Sequence, residues 1–247
     1  MDPWFVAILA MLGFVAGAVG TLMGIGGGSI VSPTLIALGI EPHYAVSSSL
    51  ATVVGTSLGG LIKFFKKRLV KVKIALILEA ATMIGAVLGG CIALKLPSTV
   101  VAMIVALVLA MAGTITLLQE HIKPCRRLSI AVPLSMVAGI VSAMSGIGGG
   151  VIKMPIMLAI LGLDLRAALA TSKMMVGITA ATGLSTYLAQ GVFDPYLALP
   201  LAVGSYLGAS MTARLVTELE KQKLRKVAAS LYYAMSILTF ARILATT

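Results

Sequence analysis

Two glycine-rich runs are the residues best suited to binding chemistry. Gly24-Ile-Gly-Gly-Gly28 is followed by Pro33, and Gly146-Ile-Gly-Gly-Gly150 is followed by Pro155. Each run precedes an apolar segment of about eleven residues, too short to cross a roughly 30 Å hydrocarbon layer alone. A helix start carries unpaired N–H groups and partial positive charge, which suit an anion. We therefore predict a broken or re-entrant helix at each run.

The assigned anion-binding positions are Gly26, Gly27, Gly28, Ser29, Gly148, Gly149 and Gly150. The alternative is that the glycines only allow close helix packing.

Two lysines fall inside segments predicted to cross the membrane, where a charge is costly. Lys153 lies in the first turn of the second short helix, where its charge opposes the helix dipole unless an anion is near. Lys173 follows Thr171 and Ser172 in the next helix. We predict that these four residues contact the anion. The alternatives for the lysines are snorkelling to the interface or pairing with an acid.

Hydroxyl groups and one acid complete the candidate set. Ser48, Ser49 and Thr52 occupy the matching helix of the first half, where they are predicted to donate hydrogen bonds to the anion, although back-bonding to their own helix is an equal alternative. Glu79 lies about seven residues into an apolar helix. A carboxylate there either carries a coupling proton or neutralises a lysine. No Cys, His, Asp and Glu cluster has metal-ligand spacing, so no metal or cofactor is predicted.

Composition indicates that lipid surrounds these residues. Of the 247 residues, 59% are hydrophobic and 11% are charged, and the mean hydropathy is +1.07. No alternating strand pattern appears, so we predict an all-α integral membrane protein. The first apolar segment is interpreted as a retained helix because no basic region precedes it. The net charge of +11 comes from short loops and does not indicate nucleic-acid binding.

Self-comparison divides the chain into two copies of one unit. After the glycine runs, Gly39-Ile-Glu41 matches Gly162-Leu-Asp164, and Ala45–Ser49 matches Ala168–Ser172. Glu41 and Asp164 fall in loops before helices and are predicted to be N-terminal caps. Further on, Gly85 and Gly89 match Gly204 and Gly208, and we interpret both pairs as packing glycines. The predicted domains are a first repeat at 1–120, a basic linker at 121–127 and a second repeat at 128–247, all within one membrane domain. The predicted apolar segments of the first half are 4–23, 29–39, 45–62, 72–94 and 98–118. Those of the second half are 128–145, 151–161, 167–188, 195–213 and 227–245.

Basic loops predict that the two halves have opposite orientations. The loop from Lys63 to Lys73 is rich in lysine and arginine, whereas its counterpart Gln190–Pro195 has neither. The next loop of the second half, from Arg214 to Lys226, is basic instead. Because basic loops face the cytoplasm, this arrangement is an inverted repeat with both termini outside. The substrate site of such a protein typically lies near the membrane midplane, where the halves meet.

The duplicated G-x-G-G-G-x4-P motif in a helical membrane protein of this length resembles the TauE/SafE sulfite exporter family, which includes 4-toluene sulfonate uptake permease-like transporters. The resemblance covers essentially the whole chain, and neither motif copy departs from the family pattern. It implies a bacterial or archaeal plasma-membrane transporter of a sulfur-containing anion such as sulfite, thiosulfate or an organosulfonate, proton-coupled or facilitated. The two lysines are not part of this motif.

Competing functions fit the sequence less well. A membrane-embedded enzyme would need a nucleophile with a base or a metal cluster, but the two histidines, His43 and His121, lie near loops at opposite faces. A cation transporter or channel would favour acidic groups at membrane depth, where Glu79 competes with two lysines. A purely structural protein would have little reason to retain broken helices. We predict a small anion, with a proton as a possible co-substrate, as the transport partner. The oligomeric state is not predicted.

Overall fold

The computed structural model describes residues 3–24, 26–118, 127–213 and 221–246, and within these ranges the chain is helical without strands. The helices of the first half are α1 (Pro3–Met23), α2 (Gly28–Ala37), α3 (Pro42–Lys66), α4 (Val72–Ala93) and α5 (Ser98–Leu118). Those of the second half are α6 (Leu128–Ser145), α7 (Gly150–Pro155), α8 (Leu165–Ala189), α9 (Pro195–Thr212) and α10 (Lys221–Thr246). A π-helical turn, Ile156–Ile160, extends α7.

Five helices in the described ranges are long and apolar enough to cross a membrane: α1, α3, α4, α5 and α6. Large apolar side chains on the outer helices, such as Trp4, Leu199 and Leu244, are exposed. In a lipid environment this surface needs no further cover. The all-helical, multi-pass class predicted from composition is confirmed to this extent.

Helix boundaries agree with the predicted apolar segments except at polar ends. Helix α3 extends through Lys63 and Lys66, and α10 begins at Lys221. Hydropathy marks the apolar span of a helix and not its end, because long basic side chains can extend to water while their backbone stays helical. In the last turn of α3 they also interact favourably with the helix dipole. The predicted linker lies outside the described residues except for Arg127, and so do residues 214–220 of the second basic loop.

Glycine contacts hold together helices from different halves. Gly85 and Gly89 of α4 pack against backbone of Met136 and Ile140 in α6, while Gly204 and Gly208 of α9 pack against backbone of α1 from Ala10 to Ala18. A β-carbon at any of the four would overlap a carbonyl oxygen of the facing helix. These contacts confirm the packing role predicted for both glycine pairs.

The two matched acids before α3 and α8 behave differently. Asp164 caps α8, accepting a 3.1 Å hydrogen bond from the backbone N–H of Ala167. Glu41 precedes α3 but makes no capping hydrogen bond, so the capping prediction is wrong there. Its carboxylate instead accepts a 2.8 Å hydrogen bond from Ser98 and lies 2.7 Å from His43 Nδ1. Pro42 occupies the first helical position, where its missing N–H removes one of the unpaired donors of the helix start.

Candidate functional site

The two glycine runs lie against each other. Gly28 packs so closely on the Gly146 carbonyl oxygen that a β-carbon would overlap it. Gly26 and Gly148 have φ angles of +92° and +88°, a backbone conformation that favours glycine. Both face one pair of side chains, Val53 of α3 and Val176 of α8. The runs from the two halves therefore meet in one buried region of the bundle.

Each run separates two helices. Helix α1 ends at Met23 and α2 begins after Gly27, while α6 ends at Ser145 and α7 begins after Gly149. Neither helix start receives a capping hydrogen bond from a side chain. The first N–H groups of a helix have no partner within the helix. The structure thus places Gly26, Gly27, Gly28, Gly148, Gly149 and Gly150 beside these two buried starts.

Two serines connect each half to the glycine run of the other. Ser49 of α3 donates a hydrogen bond to the Gly146 carbonyl at 2.8 Å, and also approaches the Gly28 carbonyl at 3.2 Å. Ser172 of α8 donates to the Gly24 carbonyl at 3.0 Å. All these groups are buried, so each bond satisfies a carbonyl at the end of a helix. Both serines were predicted anion ligands, but in this structure their hydroxyls bind backbone.

The remaining hydroxyl groups predicted to bind the anion differ in their hydrogen bonding. Thr52 bonds back to the Ser48 carbonyl at 2.9 Å, the alternative considered for this helix. Thr171 accepts a 3.0 Å hydrogen bond from the backbone N–H of Lys71, which ties the start of α8 to the basic loop after α3. Ser48 is buried, and its hydroxyl has no partner. Ser29 is buried in the first turn of α2.

Lys153 is paired. Its ammonium lies 3.0 Å from Glu79 Oε2, and both side chains are buried. Thr179 of α8 contacts both groups through its hydroxyl, donating to the carboxylate and accepting from the ammonium. The ion pair joins α7 to α4 and α8, and a buried pair with additional hydrogen bonds is a stable arrangement for both charges. Glu79 thus neutralises a lysine here, one of the two alternatives set out for it.

Lys173 has no such partner among the described residues. It lies in α8, is fully buried, and its Nζ atom makes no hydrogen bond. Of the two buried lysines in the described ranges, only Lys153 is neutralised by an acid. An uncompensated charge in a buried site is costly, and an anionic ligand would remove that cost.

Sequence reasoning missed three polar residues next to the lysines. Thr179 completes the Lys153 pair, while Thr21 and Ser57 are buried with unpartnered hydroxyls near Lys173. A signal was present for two of them. Thr21 and Ser57 are polar where the aligned residues of the other half, Ala143 and Ala180, are not.

Comparison with known proteins identifies relatives over most of the chain. The family model described as sulfite exporter TauE/SafE matches residues 9–239. This match confirms the resemblance carried by the duplicated glycine motif. No solved structure matches the chain significantly.

Three curated relatives illustrate the similarity. The probable membrane transporter protein YunE of Bacillus subtilis is 23% identical over 83% of this chain and 86% of its own length. A probable membrane transporter protein of Haemophilus influenzae is 26% identical over 88% of this chain and 93% of its own. The probable membrane transporter protein YfcA of Escherichia coli is 23% identical, over 87% and 82% respectively. All three are named as transporters, and none of the names specifies a substrate.

Proposed function

Because the chain belongs to the sulfite exporter TauE/SafE family of membrane proteins, we propose that it is a secondary transporter of a small sulfur-containing anion. The proposed substrate class is sulfite, thiosulfate or an organosulfonate, moved across the plasma membrane. The observation that supports this proposal most directly is the environment of Lys173. Its ammonium group is fully buried and has no hydrogen-bond partner among the described residues. A transported anion would compensate this charge while it is bound. When the anion leaves, the buried charge would again be uncompensated.

The state of Glu79 favours an anion over a cation as the substrate. A cation site would need a free carboxylate at membrane depth, but Glu79 is bound to Lys153 at 3.0 Å and to Thr179. The charge left over in this part of the bundle is therefore positive. This argues against the cation transporter or channel considered from the sequence.

Transport is proposed to use two inverted halves, 1–120 and 128–247, joined by the basic linker, with both termini outside. Matched contacts support this arrangement: Ser49 binds the carbonyl of Gly146, and Ser172 binds that of Gly24. Val53 and Val176, which occupy aligned positions, both contact Gly26 and Gly148. We propose that the broken helices at the glycine runs move against α3 and α8 during alternating access.

A proton is the proposed coupling ion, and Glu79 is its proposed carrier. Protonation of Glu79 would remove the charge that now neutralises Lys153, so the net positive charge in this part of the bundle would increase and favour binding of the anion at Lys173. This links proton binding to anion binding through one pair of residues.

The test is uptake into proteoliposomes. Purified protein is reconstituted, and the entry of ³⁵S-labelled sulfite, thiosulfate and methanesulfonate is followed with and without a pH gradient, against protein-free vesicles and labelled acetate. Saturable uptake of a sulfur anion, with acetate at the background level, is expected. Uptake of none of the sulfur anions by correctly folded protein would contradict the proposed function. In Glu79→Gln, the stimulation by the pH gradient is expected to disappear.

A further inference from the structure

The surroundings of Lys173 have a counterpart elsewhere in the fold. A β-carbon on Gly60 would lie 3.7 Å from both Lys173 Cε and Thr21 Cγ2. A β-carbon on Gly183 would lie 3.4 Å from Leu50 Cδ1 and 3.2 Å from Ala143 Cβ. In the alignment of the halves, Gly60 matches Gly183, Lys173 matches Leu50, and Thr21 matches Ala143. The fold thus builds the same junction of three helices twice.

The first junction is polar. Lys173 Nζ, Thr21 Oγ1 and Ser57 Oγ are all buried, and none has a hydrogen-bond partner. Ser57 of α3 packs on Gly177 of α8, one turn along that helix from Lys173. We call Thr21, Ser57 and Lys173 the Lys173 cluster. It takes one residue from each of α1, α3 and α8.

The second junction is apolar. Leu50, Ala143 and Ala180 occupy the positions aligned with the Lys173 cluster, and all three are fully buried. The nearby Tyr187 is aligned with Phe64, and its hydroxyl is satisfied by the Ala143 carbonyl at 3.0 Å. Equivalent backbone geometry therefore does not require polar side chains. The unpartnered groups of the Lys173 cluster are not explained by packing, because the same packing is achieved with leucine and alanine.

The Lys173 cluster is displaced toward the basic loop after α3. Thr171, two residues before Lys173, accepts a hydrogen bond from the Lys71 backbone in that loop. Gly60 lies in the last two turns of α3, which ends at Lys66. Ser172, the residue before Lys173, donates to the Gly24 carbonyl, so the cluster adjoins the first glycine run on its other side. The cluster therefore occupies one end of the bundle interior and not its symmetric centre.

We infer that the chain has a single anion site, off-centre toward the basic loop, in which Thr21 and Ser57 bind the anion together with Lys173. This inference rests on the proposed anion transport and adds the location, the number and the hydroxyl ligands of the site. An ammonium group and two hydroxyls supply donors from three helices, which matches an oxyanion with several acceptor oxygens. The junction around Leu50 offers no equivalent and binds no anion.

Calorimetric titration of the detergent-purified full chain with thiosulfate and with methanesulfonate tests the inference. Wild type is expected to bind one anion per chain. Thr21→Val and Ser57→Ala are each expected to weaken binding about tenfold, which corresponds to about 1.4 kcal/mol. Thr21→Ser, which keeps the hydroxyl, is expected to restore most of the affinity. Leu50→Met and Ala180→Ser, at the apolar junction, are the matched controls and should bind like wild type.

The outcomes separate this inference from the proposed function. If wild type binds an anion but Thr21→Val and Ser57→Ala bind equally well, the site lies elsewhere and the inference is wrong, while anion transport stands. Two anions per chain, or weaker binding in Leu50→Met, would also overturn the single site. If folded wild type binds neither probe, and proteoliposomes take up no sulfur anion, then both proposals are wrong. Melting temperatures of all variants show whether each chain is folded.

Discussion

Lys153 Nζ lies 3.0 Å from Glu79 Oε2 in the interior of the bundle, whereas Lys173, on the neighbouring helix, neither pairs with an acid nor makes a hydrogen bond within the part of the chain that the structure describes. The two lysines are thus expected to have opposite effects on stability when they are neutralised. Lys153 is part of a structural ion pair. Lys173 is buried without a partner, and we propose that its charge is compensated by the transported anion.

Replacing Lys153 by methionine is expected to destabilise the protein. The change leaves the Glu79 carboxylate buried without its ammonium partner, and breaking one side of a buried ion pair costs about 3–5 kcal/mol. The melting temperature in detergent should fall clearly. The double variant Glu79→Leu/Lys153→Met removes both charges and should recover much of the loss. A double variant as unstable as Lys153→Met would contradict the pairing as the cause.

Replacing Lys173 by methionine is expected to maintain or raise the melting temperature measured without anions. No acid loses a partner, and an uncompensated buried charge is removed. Methionine also fills a similar volume with a flexible side chain. A large fall in melting temperature would show that Lys173 has a structural partner and would remove the basis of the anion site.

The hydrogen bonds across the two halves are expected to stabilise the fold by similar amounts. Ser49→Ala and Ser172→Ala each leave a buried carbonyl unsatisfied, at a cost of about 1–3 kcal/mol. Thermal unfolding in detergent measures both. Ser185→Ala is the control, because its exposed hydroxyl binds only its own helix. If Ser49→Ala or Ser172→Ala has the same melting temperature as Ser185→Ala, that serine does not connect the halves as described.

Gly28→Ala is expected to prevent correct packing of the two glycine runs. The added methyl group would overlap the Gly146 carbonyl, which is backbone and cannot rotate away. We expect a low yield of folded protein, measured by size-exclusion chromatography. The melting temperature of the folded fraction, measured by thermal unfolding, should be lowered. Gly191→Ala is the comparison: its φ of +70° makes alanine strained, but no atom lies within 4 Å of the new methyl group. Equal behaviour of the two variants would mean that contact between the runs is unimportant.

Much of the fold can be predicted from the sequence because a lipid environment requires long apolar helices. Apolar length predicted the helices to within a few residues at most ends, and the shared motif identified the family. Helix ends were missed where lysines continue a helix beyond its apolar span, as at Lys66. Glu41 also differs from prediction, because Ser98 and His43 lie close enough to engage its carboxylate.

The candidate site was only partly predictable, because pairing depends on contacts between distant segments. The sequence indicated that Lys153, Lys173 and Glu79 are important, but Glu79 lies 74 residues from its partner Lys153. The sequence predicts Ser49 and Ser172 as hydroxyl donors to an anion, whereas their acceptors in the structure are the carbonyls of the opposite glycine runs. Thr21 and Ser57 are not found by matching residues that the two halves share, because the aligned residues, Ala143 and Ala180, are apolar. The polar junction lies where the two halves differ in sequence.

The most direct test of the central claim is the melting temperature of purified wild type and Lys173→Met against sulfite, thiosulfate, sulfoacetate, sulfate, acetate, chloride and phosphate. A ligand that binds only the folded state raises this temperature by mass action. The account predicts that at least one sulfur anion stabilises wild type, that acetate and chloride do not, and that Lys173→Met is folded but unresponsive. An equal rise in Lys173→Met, or no rise with any sulfur anion in folded wild type, would contradict it.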